Sequence, residues 1–178
     1  MTDSKQKKKY YGKYRGTVFN NIDLDMKGRI QAIVPDVLGK VPSTWATPCV
    51  PITGIAAVQS GIYVVPALQA NVWIEFEHGD CDFPIWSGCF WGQQAEIPAV
   101  ALLGNPAMPH IVMQTVSQNT VCIGGDPVTG ITLSCGVNPL GPKIMISSAG
   151  IVISDGSGGT INIAAGVVTL NAGALIVK

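Results

Sequence analysis

The C-terminal third of the chain carries a repeat of paired apolar residues, and this repeat constrains the fold more than any other feature. In KIMISSAGIVISDGSGGTINIAAGVVTLNAGALIVK, residues 143–178, such pairs alternate with Ser, Ala, Gly and Asn. The two members are two positions apart, so in a strand both lie on the same face. The repeat therefore predicts short strands that each have one apolar face. The pairs are Ile144/Ile146, Ile151/Ile153, Ile161/Ile163, Val168/Leu170 and Leu175/Val177.

The same pattern begins further upstream, and residues 111–178 are predicted to form one repetitive β domain. The spacing between pairs lengthens at GGDPVTG and GVNPLGPK. Because these insertions are rich in Gly, Asp and Pro, they predict loops that project from a regular repeat. The upstream pairs are Ile111/Met113, Val121/Ile123 and Ile131/Leu133.

A short strand with one apolar face needs neighbours that cover that face. One chain coiling alone needs roughly 18 residues per turn, so residues 111–178 would give a short coil with open ends. Three chains around a shared axis bury every pair and leave no open edge. We therefore expect a homotrimeric, triple-stranded β-helix. Its predicted core comprises Val121, Ile123, Ile131, Leu133, Ile144, Ile146, Ile151, Ile153, Ile161, Ile163, Val168, Leu170, Leu175 and Val177.

Charge is unevenly placed along a chain whose totals cancel. Residues 1–15 contain six basic residues and one acidic residue, and no Lys or Arg occurs between Lys40 and Lys143. A surface so poor in cations predicts extensive coverage by other chains. Residues 1–13, MTDSKQKKKYYGK, are expected to form a basic tail that orders on a partner protein; binding of nucleic acid is the less favoured alternative.

Residues 14–95 are predicted to form a small closed barrel of short strands, because closure removes the unpaired edges. The strands are expected in YRGTVFNN, GRIQAIVPD, GIYVVPA, NVWIEFEHGD and FPIWSGCFWG, which are separated by turn residues. In the fourth segment Val72, Ile74 and Phe76 alternate with outward residues. Residues 96–110, EIPAVALLGNPAMPH, contain three prolines and are predicted to be a linker.

The segment VPALQANVWIEFEHGDCDFPIWSGCFWG, residues 65–92, resembles the baseplate spike proteins of contractile injection systems. That family includes baseplate assembly protein V of phages, the valine-glycine-repeat spikes of type VI secretion and the spikes of extracellular injection systems. The chain departs from the family pattern at Ala70-Asn71, where Gly-Asp is usual. The matching barrel residues are Pro66, Val72, Ile74, Phe76, Gly79, Asp80, Pro84 and Gly88.

The resemblance implies an all-β chain, with an OB-fold barrel followed by a trimeric triple-stranded β-helix. It also implies synthesis in the cytoplasm, assembly into the baseplate of a phage-tail-like particle, and work as a central spike that pierces the target envelope. Because the chain carries no hub domain, a separate hub protein is implied. Contact with the target membrane would be transient, and nucleic acid is not an expected partner.

The family resemblance further implies a conical tip protein of the proline-alanine-alanine-arginine type at the end of the spike. Some phage spikes of this family end in a His-x-His iron site, but no histidine follows His110 here. The apolar end is therefore expected to bind a separate tip. The predicted tip-binding residues are Asn171, Leu175, Ile176, Val177 and Lys178.

No catalytic residue, metal site or cofactor is predicted. The acids Glu75, Glu77, Asp80 and Asp82 surround His78, but they match hairpin and solvent-facing positions of the barrel. With two histidines in the chain, a Ser-His-Asp set has few candidate members. The five cysteines include no Cys-x-x-Cys pair, so buried, reduced thiols in the cytoplasm are expected.

Two other functions remain as alternatives at this point. An OB barrel can bind single-stranded nucleic acid, and Trp73, Trp86, Phe90 and Trp91 offer aromatic rings, but the barrel has no basic residue after Lys40. A β-helical polysaccharide lyase or acyltransferase requires clustered carboxylates or a histidine. Residues 111–178 contain only two acids, Asp126 and Asp155.

Overall fold

The chain is built almost entirely of β-strands, which confirms the all-β prediction. The computed structural model describes residues 8–126, 128–138, 140–171 and 174–177. Within these ranges there are a five-stranded sheet, an eight-stranded sheet, a two-stranded hairpin, one four-residue α-helix and three short 3-10 helices, the first of which is Glu77–Gly79. The chain divides into two compact units, Met1–Gly92 and Gln93–Lys178.

The N-terminal unit contains a five-stranded sheet in the order β2-β1-β6-β7-β3. Neighbouring strands are antiparallel except for β3 and β7, which are parallel. Strands β4 and β5 pair only with each other within the described residues, and a short helix, α1, follows β2. The bounds are β1 Tyr14–Asn20, β2 Gln31–Ile33, α1 Pro35–Leu38, β3 Thr47–Pro48, β4 Thr53–Ile55, β5 Val58–Gly61, β6 Asn71–Phe76 and β7 Pro84–Cys89.

Strand β6 shows why this unit folds around one core. Val72, Ile74 and Phe76 are buried while the residues between them are more exposed, so the predicted alternation is confirmed. Trp86 of β7 is buried, and its indole Nε1 donates a hydrogen bond of 3.1 Å to the Gly28 carbonyl oxygen. Trp86 lies directly opposite Ile74 in the pairing of β7 with β6, so the two side chains share the inner face of the sheet. The core comprises Val18, Ile30, Ala32, Val34, Ala46, Val72, Ile74, Phe76 and Trp86.

The loop between β1 and β2 is held by an internal ion pair. Asp23 accepts hydrogen bonds from the backbone amides of Lys27 and Arg29, and its Oδ1 lies 2.6 Å from Arg29 Nη2. The guanidinium of Arg29 holds the pKa of the Asp23 carboxyl far below its usual range. Arg29 also binds Asp25, at 2.7 Å. This arginine is therefore fully engaged by acids of its own loop.

One predicted strand of the barrel is wrong. In GIYVVPA, residues 61–67, only Gly61 belongs to a strand, where it ends β5 with a φ of +130°. Pro66 has no amide hydrogen to contribute to a ladder, and Ile62, Tyr63 and Val64 are exposed. The fifth strand of the sheet is instead β3, which contains two residues.

The C-terminal unit is an antiparallel meander in which each strand pairs with the next along the chain. It begins with two 3-10 helices: Gln94–Glu96, which crosses the predicted boundary between barrel and linker, and Ala99–Leu102, which lies inside the predicted linker. The eight-stranded sheet follows without a crossover. Its strands are β8 Ile111–Gln114, β9 Thr120–Ile123, β10 Ile131–Ser134, β11 Lys143–Ser147, β12 Gly150–Ser154, β13 Thr160–Ala164, β14 Val167–Leu170 and β15 Leu175–Val177.

Candidate functional site

The eight apolar pairs of the sequence repeat come into register as two continuous rows across the sheet. At every strand pairing, a member of one pair lies opposite a member of the next. The first row is Met113, Val121, Leu133, Ile144, Ile153, Ile161, Leu170 and Leu175. The second row is Ile111, Ile123, Ile131, Ile146, Ile151, Ile163, Val168 and Val177.

This apolar face is incompletely covered within one chain. Ile161 in the middle of the first row is 37% exposed, and Ile146 of the second row is 47% exposed. Exposed apolar area of this extent on one continuous face is a feature of surfaces that bind a partner. The two rows therefore form a candidate assembly surface. The assignment of the fourteen core residues to a trimer interior stays a prediction.

The opposite face of the sheet is more mixed. It carries a central row of Val112, Cys122, Thr132, Met145, Val152, Asn162 and Thr169 in the same register. Near β8 to β11, residues 95–103 cover part of this face above a crevice of about 580 Å³. Cys122 is 3% exposed there, and burial raises the pKa of its thiol. The two apolar rows thus lie on an exposed face, whereas the opposite face is more polar and is partly covered by residues 95–103.

Turns at the sheet margins are closed by carboxylates. Asp126 Oδ1 accepts hydrogen bonds from the backbone amides of Val128 and Thr129, at 2.9 and 2.8 Å. Asp155 Oδ1 accepts from Ser157 and Gly159 in the same way, at 2.7 and 2.9 Å. These amide donors lower the pKa of both carboxyls below the usual 3.8. Each of the two acids of the repeat therefore stabilises its own turn, and the two carboxylates do not form a common catalytic site.

The last strand is where the tip-binding prediction falls. Leu175 is 53% exposed and ends the first row. Asn171 accepts a hydrogen bond of 3.0 Å from the Thr160 amide, so its side chain joins the end of β14 to the start of β13. Lys178 and the side chains of Ile176 and Val177 lie outside the described residues. Of the five predicted residues, Leu175 is thus the one whose described side chain is exposed and apolar.

The family motif of the barrel occupies structural positions. Pro84 is buried at the start of β7, and the Pro66 carbonyl oxygen accepts a hydrogen bond from Asn21 Nδ2 at 2.9 Å. Gly79 and Gly88 have φ angles of +72° and +136°, which favour glycine. Asp80 Oδ1 accepts from the Asp82 amide at 3.1 Å and so closes the turn before β7. Val72, Ile74 and Phe76 lie in the core.

The acids around His78 do not assemble into a catalytic cleft. Glu75 binds Lys13 Nζ at 3.1 Å on the outer face of the sheet. The side chains of His78 and Glu77 are 89% and 60% exposed. Asp80, Cys81 and Asp82 bring three potential ligand atoms within 4.8 Å of one another, as neighbours in one turn. Exposed acids in a turn give no independent indication of a bound metal.

An aromatic platform on the outer face of the barrel was missed by sequence reasoning. The rings of Trp73 and Phe90 lie 4.7 Å apart, centroid to centroid, and the guanidinium carbon of Arg15 is 5.4 and 4.8 Å from their centroids. Arg15 lies directly opposite Trp73 in the pairing of β1 with β6. The alternation of β6 indicates from the sequence that Trp73 faces outward. That Arg15 is its partner depends on the register of β1 with β6, which the sequence pattern does not give.

Two further predictions are corrected or restricted. Cys122 is buried, but Cys49, Cys89 and Cys135 are exposed in the single chain, so the prediction of buried thiols is wrong for these three. For the basic tail, residues 8–13 lie on the barrel of the same chain, where the Tyr10 amide donates to the Gly79 carbonyl oxygen at 2.9 Å. Residues 1–7 lie outside the described part.

Comparison with known protein families matches both units. Residues 14–91 match the type VI secretion system/phage-baseplate injector OB domain, and residues 110–176 match the phage baseplate V C-terminal trimerisation domain. A search of curated proteins found no match to the chain. Among the described residues, no helix is both long and apolar enough to cross a membrane. The predicted order, an OB barrel followed by a trimerising β domain, is confirmed, and the chain belongs to the baseplate spike family of contractile injection systems.

Proposed function

We propose that this trimeric baseplate protein is the central spike of its particle: it docks on a hub, carries a tip protein and pierces the target envelope when the sheath contracts. The observation that carries the proposal is the pair of apolar rows along the C-terminal sheet. A face of this kind becomes buried when three copies share one axis. Both matching families are structural components of the baseplate.

Burial of the two rows would bind the three chains strongly. Eleven of the fifteen row members whose side chains are described are 37–66% exposed in one chain, for example Leu133 at 44% and Ile163 at 39%. Covering that remainder is worth about 1 kcal/mol for each side chain. Since every chain contributes a pair from each of its eight strands, the sum over a trimer is large. A trimer of this kind is expected to dissociate slowly.

Stiffness along the strand-stacking direction supports a mechanical role. Each strand of the meander is hydrogen-bonded to the next, and seven strand spacings span about 34 Å. Tight turns closed by Asp126 and Asp155 limit local opening of the sheet margin. Three such sheets around a common axis would resist bending, and sheath contraction would supply the energy for piercing.

The hub and the tip protein are assigned to opposite ends of the chain in this proposal. The tip would bind at β15, where Leu175 leaves apolar surface exposed. The hub would bind the OB barrel, whose family is that of the injector OB domain. The spike itself would provide shape and rigidity and perform no chemical reaction.

Electron cryomicroscopy of the assembled particle tests the proposal. We expect density for three copies of the chain on the particle axis at the baseplate. After contraction, an epitope-tagged spike should be recovered in the envelope fraction of target cells. Three copies off the axis, or a tagged chain that stays with the particle after contraction, would contradict a piercing role.

A further inference from the structure

We propose that the outer face of the barrel sheet, centred on Arg15, binds an acidic segment of a partner protein. We call this the Arg15 surface, and it consists of Arg15, Trp73, Phe90, Lys13, Glu75 and Ser87. Its chemistry fits a carboxylate flanked by apolar groups. The inference rests on the proposed docking on a hub. It identifies the surface of this chain that the hub would contact, and it predicts that the contacting segment of the hub is acidic.

Both arginines of the chain lie over aromatic rings, Arg29 over Trp45 at 5.6 Å, but they differ in whether an acid binds the guanidinium. Arg29 is bound by Asp23 and Asp25, at 2.6 and 2.7 Å. Arg15 lies against two aromatic rings, and in the described part of the chain no acid forms an ion pair with it. Because stacking fixes the plane of the guanidinium, less side-chain entropy is lost when its N–H fork binds a carboxylate.

The one acid on this part of the sheet is already engaged. Among the described outward residues of β1, β6 and β7, Glu75 is the single carboxylate, and Lys13 Nζ binds it at 3.1 Å. Lys13 also donates to Ser87 Oγ at 2.8 Å. The pair Lys13–Glu75 is neutral overall, so Arg15 leaves the surface with a net positive charge. That charge is complementary to an acidic partner.

The residue types of the Arg15 surface are those that dominate protein interfaces. Trp and Arg are enriched among residues whose truncation costs the most binding energy, and they cluster at the centre of an interface. Here Arg15, Trp73 and Phe90 are the centre, and Lys13, Glu75 and Ser87 form a polar rim.

Single-stranded nucleic acid fits this surface less well than protein. Nucleic-acid binding by OB folds uses open ring faces on which bases stack, combined with a groove of several cations. The guanidinium of Arg15 lies over the rings of both Trp73 and Phe90. Lys13 is paired with Glu75, so the surface offers one unpaired cation, Arg15, where a phosphate chain requires several. We therefore assign the surface to a protein carboxylate.

Binding of a fluorescein-labelled poly-glutamate peptide to the full-length trimer at low salt tests the inference. Arg15→Gln should weaken binding roughly tenfold or more, because a charge-assisted hydrogen bond is lost. Arg15→Lys should weaken it by an intermediate factor, since the charge remains without the planar fork. Lys40→Gln removes an equal charge from an exposed position outside the surface and should have no effect.

Three results would overturn the inference. They are absence of peptide binding by the wild-type trimer, equal losses in Arg15→Gln and Lys40→Gln, and tighter Arg15-dependent binding of a charge-matched oligothymidylate. The third result would assign the surface to nucleic acid. The mass and melting temperature of every variant are measured on the same samples. A stable trimer that fails to bind the peptide refutes this inference and leaves the spike assignment intact.

Discussion

Ile144 of β11 lies directly opposite Ile153 of β12, and the two occupy adjacent positions in the first apolar row. In the sequence they are separated by a turn at Ser147–Gly150, which returns the chain with the same face of the sheet presented. Every turn of the meander reverses the chain in the same way, so all eight apolar pairs lie on one face of the sheet. The face that results is too apolar and too exposed to remain uncovered.

A charge on the apolar face should prevent trimer formation. Ile161→Asp places a carboxylate in the first row, and three such charges would be brought together at the axis. Burial of an unpaired charge costs several kcal/mol, so we expect loss of the trimer in size-exclusion chromatography with light scattering. Asn162→Asp is the matched control, since Asn162 is exposed on the opposite face. A trimeric Ile161→Asp variant would be inconsistent with the proposed core.

Close approach of the backbone at one turn predicts an unequal effect of two glycine substitutions. A Cβ at Gly150 would meet the Ile163 carbonyl oxygen, and the residue has a φ of +130°. Gly136 has a φ of +75° but open space around it. We expect Gly136→Ala to cost about 1 kcal/mol of unfolding free energy and Gly150→Ala at least twice that. Equal melting temperatures for the two variants would show that the contact is unimportant.

The acid dependence of stability follows from the turn carboxylates. The pKa values of Asp126 and Asp155 lie below 3.8 in the folded protein, and Asp23 of the barrel is shifted in the same direction. Unfolded chains therefore bind protons first as the pH falls. The stabilisation is present above pH 3.8 and is lost as the pH falls through the folded values. Asp155→Asn should reduce the slope of unfolding free energy against pH in this range, whereas an unchanged slope would contradict the assignment.

The exposed end of the first row predicts the effect of a tip-binding variant. Leu175→Asp should abolish co-purification of the spike with its tip protein, because a charge replaces apolar contact area. Val128→Asp is the control, since Val128 is 75% exposed in the loop between β9 and β10. Since β15 is the last of the eight strands, we expect the other seven to hold the Leu175→Asp chains together, and both variants are verified as trimers by light scattering before the binding assay. Unimpaired binding by Leu175→Asp would place the tip contact elsewhere.

The strand pattern of the C-terminal unit was predictable from the sequence because apolar residues recur at every second position there, which is the side-chain period of a strand. Every predicted pair lies within a strand, and the described residues of the insertions GGDPVTG and GVNPLGPK lie between strands, except Lys143, which begins β11. In the barrel, Val72, Ile74 and Phe76 were predictable for the same reason.

The remainder of the barrel could not be derived from local pattern. GIYVVPA has the composition of a strand, but no partner strand pairs with residues 62–66 within the described chain. Strand β3 has two residues, so it carries no periodic signal, and its pairing with Ile85 and Trp86 is set by tertiary structure. The contact of Arg15 with Phe90 likewise depends on packing across strands.

Sedimentation of the purified full-length chain at nanomolar concentration tests the central claim most directly. We expect a species with three times the 18.6 kDa mass of one chain. This trimer should persist on dilution, because the two apolar rows are buried between the copies. A compact, folded monomer at that dilution would contradict the claim, because the apolar face would then be stable without partners.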